Sequence, residues 1–331
     1  MKKKIALITG GYSGEAVISY QSADNILHHI DKSKYEIFKI DISKKGWFYT
    51  NEKNEAIAIA RGDFSIENQG EKILFDIALM CIHGSPGEDG KLLGYLDMIG
   101  LPYTSCNAAV SALTFNKRHT VAVAGLSGID VAKSILLYNT DPINIDEIKA
   151  LQFPVFVKPN NGGSSIGMSK VLEKNDQAIT TAIAKAFAED NQVLIEEYIK
   201  GREFTIGVLR NIDGEIITLP MTEIILKKGR DHFDFEAKYN GETGEITPAE
   251  VSREIAKKVA LTAKKAYQVL GCSGVVRIDF IYNVATDRPV MLEVNTVPGQ
   301  TKESLVPKQV LANGWTLEEF YTQLIETALA Q

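Results

Sequence analysis

Two short segments hold the residues best suited to chemistry. Val275-Val276-Arg277-Ile278-Asp279-Phe280 and Met291-Leu292-Glu293-Val294-Asn295 both alternate apolar and polar residues. Side chains alternate across a strand, so Arg277 and Asp279 share one face of the first segment. Glu293 and Asn295 share a face of the second, with Leu292 and Val294 on the other. If the strands pair, two carboxylates, a carboxamide and a guanidinium stand together over an apolar core. Hard oxygen ligands beside an arginine suit Mg²⁺, which keeps water and phosphate oxygens in its remaining positions. Any one of these residues alone reads as a solvated strand residue. The set of four, followed by Thr296-Val297-Pro298-Gly299, carries the functional reading.

A second segment, Val155-Phe156-Val157-Lys158-Pro159-Asn160-Asn161-Gly162-Gly163-Ser164-Ser165-Ile166-Gly167, delivers a lysine from an apolar strand into a glycine- and serine-rich loop. Glycines let backbone N–H groups wrap an anion without interference from Cβ. G-x-x-x-x-G-K-[ST] and G-x-G-x-x-G are both absent, which excludes the P-loop and the dinucleotide fingerprint. Alone, the loop reads equally well as a structural turn; Lys158 tips the balance, because a buried lysine needs a negative partner. Weaker features gain meaning from company. Lys117 offers a second phosphate clamp, Glu196-Glu197-Tyr198-Ile199 offers backbone groups to a planar base, and Glu203 suits a sugar hydroxyl. His83 ends a strand, where a lone histidine is more often structural. Lys238 and Tyr239 fall in a polar stretch able to meet a ligand on closing.

These residues need a scaffold. Ile5–Thr9, Tyr35–Asp41 and Leu74–Ile82 read as strands, and the stretch from Glu15 to about Ile30 and Leu92–Ile99 as helices, which predicts a parallel sheet with covering helices. A second unit holds a helix over Ala108–Ala124, the strand and loop of Pro154–Gly167, a helix over Gln177–Ala188 and a strand at Val193–Glu197. Beyond it, Phe204–Arg210 and Glu215–Leu219 read as a hairpin about Asp213-Gly214. The stretch Thr222–Thr247 shows little periodicity, as expected of a lid or binding loop. A helix (Pro248–Leu270), two strands (Val275–Ile281 and Val290–Asn295) and a closing helix (Thr316–Ala330) follow. The expected division is residues 1–105, 106–198 and 199–331, an α/β chain of three units.

Composition narrows the class. Of 331 residues, 45% are hydrophobic and 24% charged, as in globular proteins, and a net charge of −6 argues against broad binding to nucleic acid or anionic lipid. No uncharged apolar run approaches the ~18–20 residues of a membrane span. The Lys2-Lys3-Lys4 start imitates a signal peptide, but its apolar run stops at Gly10-Gly11, so a buried first strand is expected. Cys81, Cys106 and Cys272 are an odd, widely spaced set without Cys-x-x-Cys, which argues against disulfides and zinc and makes the cytoplasm the expected compartment.

Taken in order, Gly10-Gly11 with Ser13 and Glu15, His83-Gly84 through Gly87-Glu88-Asp89-Gly90, Lys158-Pro159, Gly163-Ser164-Ser165-Ile166-Gly167, Glu236-Ala237-Lys238-Tyr239, Arg277-Ile278-Asp279 and Glu293-Val294-Asn295-Thr296-Val297-Pro298-Gly299 resemble the D-alanine–D-alanine ligases of the ATP-grasp superfamily. The resemblance runs from about residue 4 to about residue 329. It implies a three-domain ATP-grasp fold with an N-terminal parallel-sheet (pre-ATP-grasp) domain. The implied activity is that of an ATP-dependent carboxylate–amine ligase making D-alanyl-D-alanine for peptidoglycan from two D-alanines, with ATP and two Mg²⁺ or Mn²⁺ ions, in a cytoplasmic homodimer. Lys117, Lys158, Gly163, Ser165 and Lys238 would hold ATP phosphates. Glu196 and the backbone of Glu197 and Ile199 would hold adenine, and Glu203 the ribose. Asp279, Glu293 and Asn295 would ligate the metals. Glu15, linked to Ser164 and Tyr239, would take the first ammonium, with His83 nearby, and Ser304 and Leu305 the second carboxylate. Arg277 and the Gly299 N–H would face the oxyanion.

Two positions qualify the resemblance. Ala16 and Val17 follow Glu15 where charged residues are common in the family, and Tyr239 favours an amine acceptor over D-lactate. The alternatives are a D-alanine–D-lactate or D-alanine–D-serine ligase and a catalytically inactive nucleotide-binding module. A solute-binding protein would need export and has no use for the carboxylate set.

Overall fold

The computed structural model describes residues 2–163, 165–226 and 243–330. The first unit contains β1 (Lys3–Gly10), α1 (Ala16–His29), β2 (Tyr35–Ser43), β3 (Gly46–Thr50), β4 (Ala56–Ala58), β5 (Ile66–Asn68), β6 (Glu71–Ile73), β7 (Ile77–Met80) and α2 (Lys91–Ile99). Its five-stranded sheet runs β4-β3-β2-β1-β7, parallel across β2, β1 and β7. Ile5, Ala6, Leu7 and Ile8 are all fully buried, because helices cover both faces of a parallel sheet. Alternation sends Ile5 and Leu7 to one core and Ala6 and Ile8 to another. The second core is closed by Leu92, Leu93 and Leu96 of α2.

The second unit has α3 (Ala108–Phe115), α4 (Lys117–Leu126), β8 (Ser134–Tyr138), α5 (Ile145–Lys149), β9 (Val155–Pro159), β10 (Ser169–Val171), α6 (Asp176–Phe187) and β11 (Gln192–Glu197). The expected single helix over Ala108–Ala124 is two helices. Asn116 leaves helical geometry and caps α4 by accepting from the His119 N–H, so the chain turns immediately before Lys117. The sheet β10-β9-β11-β8 is antiparallel. Val155, Val157, Val193 and Ile195 pack against Ile179 and Ile183 of α6, which leaves Phe156, Lys158 and Glu196 on the opposite face.

The third unit has β12 (Arg202–Arg210), β13 (Ile216–Thr218), β14 (Thr222–Leu226), β15 (Thr243–Ile246), α7 (Arg253–Val269), β16 (Val275–Asn283), β17 (Arg288–Asn295), α8 (Leu305–Ala312) and α9 (Leu317–Leu329). Its antiparallel sheet runs β15-β14-β12-β16-β17, with β13 pairing on β12. Phe204, Ile206, Val208, Val276, Ile278 and Phe280 form its core beneath Val259, Ala263 and Tyr267 of α7. The stretch 222–247, expected to lack structure, has a strand at each end, and these two strands pair. Helix α9 packs Phe320, Tyr321, Leu324 and Ile325 against Ile5, Leu7 and Leu79 of the first sheet, joining the chain's two ends. The expected strand Leu74–Ile82 is shorter, Ile77–Met80, with Leu74 exposed.

Candidate active site

Strand register builds the site. Thr222, Thr205, Asp279 and Glu293 are successive register partners across β14, β12, β16 and β17, so their side chains share a face. Two residues along, Gly207, Arg277 and Asn295 form a parallel row. Asp279 is held from three sides. Arg277 donates to both its oxygens, Nε at 3.0 Å and Nη2 at 2.9 Å. Thr205 Oγ1 donates at 2.5 Å and Asn295 Nδ2 at 3.3 Å. Burial alone would lower the Arg277 pKa, but Asp279, with Glu293 and Glu88 behind it, raises it above the ordinary arginine value. Arg277 therefore stays charged.

The register slips by one residue between Asp279 and Phe280, so Phe280 faces Met291 and Leu292 becomes the extra residue of a bulge. This overturns the simple alternation that placed Leu292 with Val294 in the core. Leu292 instead lines a cavity together with Glu293.

Two cavities flank the carboxylate row. One, of about 600 Å³, lies between the second and third sheets and receives Lys117, Lys158, Gly163, Ser165, Glu196, Glu197, Ile199, Glu203, Asp279 and Glu293. The other, of about 740 Å³, lies between α1 and the start of α8 and receives Glu15, His83, Lys117, Gly163, Arg277, Glu293, Asn295, Gly299, Ser304 and Leu305. Glu15, Lys117, Gly163 and Glu293 line both, so the cavities meet there. Every described site residue predicted from the sequence thus borders one cavity or the other. Ser164, Lys238 and Tyr239 lie outside the described residues.

In the smaller cavity, Lys158 finds its negative partner in Glu196, at 2.5 Å, with both side chains largely buried. The expected adenine contact at Glu196 therefore has its carboxylate engaged by the lysine. The Glu197 carboxylate accepts from the Gln152 N–H at 2.8 Å, while its own N–H donates to the Lys133 carbonyl at 3.0 Å. Lys117 Nζ donates to the Gly162 carbonyl at 2.5 Å, tying the glycine loop to the start of α4. Phe156, Ile281 and Leu292 supply apolar walls that the motif search missed. Phe156 was within reach of the sequence, since period two puts it on the Lys158 face of β9.

In the larger cavity, Glu15 sits at the start of α1. A Cβ on Gly163 would lie 2.7 Å from Glu15 Oε1, so the glycine loop and this carboxylate are in close approach, and a larger residue there would make the Glu15 side chain shift. Ser22 Oγ accepts from the Gln300 N–H at 3.0 Å and stands within hydrogen-bond distance of His83 Nε2, 3.3 Å away. Burial, with Arg277 nearby, lowers the His83 pKa to about 4 against a backbone bond to Val297, so this imidazole is neutral near pH 7. Glu88, absent from the predicted site, accepts from the Gly84 N–H at 2.7 Å and the Val297 N–H at 3.3 Å. Burial and the Glu15 charge push it up to about 7. Its motif position beside His83 was the available signal.

The family descriptions "D-ala D-ala ligase N-terminus" and "D-ala D-ala ligase C-terminus" match residues 4–106 and 121–326. The chain belongs to the D-alanine–D-alanine ligase family. A relative from Flavobacterium johnsoniae named D-alanine--D-alanine ligase is 47% identical over 99% of this chain and 100% of its own. Among solved structures, the VanG D-Ala:D-Ser ligase from Enterococcus faecalis is 31% identical with a TM-score of 0.87, over 99% of this chain and 100% of that one. The D-alanine--D-alanine ligase from Bacillus anthracis complexed with ATP is 29% identical with a TM-score of 0.77, over 99% and 98%. The arrangement of the three main sheets is accordingly that of an ATP-grasp ligase.

Proposed function

We propose that this enzyme joins two D-alanines into D-alanyl-D-alanine at the expense of ATP, as a cytoplasmic homodimer serving peptidoglycan synthesis. The observation that carries the reading is the shared wall, where Glu15, Lys117, Gly163 and Glu293 border both cavities. A nucleotide in the smaller cavity and an amino acid in the larger would meet at that wall.

Asp279, Glu293 and Asn295 fit a divalent ion, since two carboxylates and a carboxamide oxygen converge on one sheet face with Asp279 already oriented by three side chains. Mg²⁺ or Mn²⁺ bound there would neutralise phosphate charge. The chain's own groups do the rest. Lys158 and Lys117 orient the phosphates, and Glu15 receives the first ammonium. The positive end of α8, with Ser304 and Leu305, takes the second carboxylate. A carboxylate is a poor electrophile, so conversion to an acyl phosphate precedes attack by the second, unprotonated amine. Arg277 and the Gly299 N–H donate to the oxyanion of the tetrahedral intermediate, where one such donor is worth about 3–4 kcal/mol.

Phosphate release from MgATP tests the reading, with D-alanine alone and with D-serine or D-lactate added. Release with D-alanine alone, with the dipeptide seen by mass spectrometry, is expected. Release only with D-serine or D-lactate keeps the mechanism and changes the acceptor. Silence from a folded, ATP-binding chain favours the inactive module.

A further inference from the structure

The edge of the third sheet is interrupted at one place, and a side chain fills the interruption. β13 pairs with residues 208–210 of β12, and β14 with residues 203–205. Between them Leu219 still donates its N–H to the Gly207 carbonyl at 2.8 Å, and Pro220-Met221 leaves the ladder, where proline has no N–H to offer. Gln309 of α8, fully buried, enters this gap. Its Oε1 accepts from the Gly207 N–H at 2.8 Å, and its Nε2 donates to the Thr205 carbonyl at 3.0 Å and to Thr222 Oγ1 at 3.0 Å. One acceptor and two donors are all engaged, as a strand's peptide groups would be. A Cβ on Gly207 would stand 2.9 Å from Gln309 Oε1, so the glycine admits the amide.

The link reaches the site in both directions. Thr205 meets Gln309 through its carbonyl and Asp279 through its hydroxyl, at 2.5 Å. Four and five residues upstream of Gln309 stand Leu305 and Ser304. The neighbouring Lys308–Glu245 pair is partly exposed and too weak to hold the helix in its place.

We propose that Gln309 is a positioning residue for the acceptor subsite. Its amide stands in for the missing edge-strand peptide and fixes α8 against the carboxylate row, which sets where Ser304 and Leu305 meet the second substrate's carboxylate. The inference rests on the reading of Ser304 and Leu305 given above.

The test compares Gln309→Leu, Gln309→Glu and Ser304→Ala with the parent, by phosphate release against D-alanine and ATP and by thermal melting. The expected result for Gln309→Leu is a half-saturation for the second D-alanine raised about tenfold, within the ~10²-fold that a 1 Å misplacement can cost. The first D-alanine and ATP constants stay near those of the parent, and kcat changes less than the second KM. Gln309→Glu keeps the acceptor for Gly207 but sets an oxygen against the Thr205 carbonyl; the same split is expected, and it carries the test if the leucine variant does not fold. A lowered melting temperature with unmoved kinetic constants overturns the proposal. If Ser304→Ala also leaves the second D-alanine constant unmoved, the subsite reading itself fails and the proposal with it. If Ser304→Ala raises that constant while the Gln309 variants do not, only the positioning role is lost.

Discussion

The two cavities are built on different plans. The smaller is the gap between two antiparallel sheets, each with a helix on its far face, and much of its wall comes from the strands β9, β11, β12, β14, β16 and β17. The larger is assembled from segments around residues 15–28, 83–88 and 293–306, joined by bonds between residues far apart in sequence. Asn25 Nδ2 donates to the Gln300 carbonyl at 2.7 Å, Gln300 N to Ser22, and Val297 N to Glu88. A site made of strand faces tolerates change at single positions, because the ladder fixes the backbone. A site made of cross-links depends on each of them. The first suits a ligand recognised largely by shape and phosphate charge, the second a small substrate that must be held to within a fraction of an ångström.

The largest effect expected is at the shared wall, where the two plans meet. Glu293→Gln should lower ATP-dependent ligation by about 10³-fold or more while melting close to the parent, since it keeps shape and removes charge. Near-normal phosphate release from that variant would defeat the metal assignment and the comparison built on it.

Next comes Lys158, which belongs to the strand-built cavity yet has a buried partner. Breaking such a pair costs about 3–5 kcal/mol because Glu196 is left alone, whereas replacing both partners is often neutral. Lys158→Met should therefore lower stability and ATP affinity together. The double change Lys158→Met with Glu196→Met should restore stability and leave ATP affinity low. Denaturant melts and ATP titrations separate the two. If the double variant also recovers ATP binding, the lysine has only a structural role.

The cross-linked cavity should show itself in pH dependence. Glu88, raised from 4.5 to about 7, binds a proton in the fold that the unfolded chain has released, so its contribution to stability is present below pH 4.5 and lost as pH rises to about 7. His83, lowered from 6.5 to about 4, does the reverse: its contribution is present above pH 6.5 and lost as pH falls to about 4. Between about 4.5 and 6.5 the two slopes oppose each other, and the parent should be flat there in this respect. Glu88→Gln should expose a stability that climbs with pH, and His83→Gln one that declines, each by no more than about 1.4 kcal/mol per pH unit. Urea melts across pH 4–8 check this. Parallel curves for parent and both variants would mean that the two groups titrate as in water.

The same contrast explains what the sequence disclosed. Arg277, Asp279, Glu293, Asn295 and Lys158 were legible because period two is a local rule and strands obey it. The glycine loop was legible because a phosphate-type anion site needs backbone room. Gln300 and Gln309 were not, since each acts on a residue tens or hundreds of positions away, and polar side chains in a loop or helix carry no mark of a distant partner. The break at Asn116 was missed because helical pattern continues on both sides of it. Likewise, the docking of α9 on the first sheet is a tertiary fact, since an amphipathic helix does not name the surface it covers.

The smallest effect tests where even the strand rule failed. Leu292 reads as a core residue by alternation, but the bulge after Asp279 turns it into the smaller cavity beside Glu293. Shortening a true core leucine costs about 2–5 kcal/mol of stability. A leucine lining a ligand cavity leaves much of its surface to be covered by the ligand, so its loss falls on binding. Leu292→Ala should therefore raise KM for ATP several-fold, equivalent to about 1 kcal/mol of lost apolar contact, with a small change in melting temperature and an unchanged D-alanine dependence. Val294→Ala is the counterpart, since Val294 lies in the core on the other face and should lower stability while leaving ATP binding alone. If the two variants exchange behaviours, the bulge is misplaced by one residue.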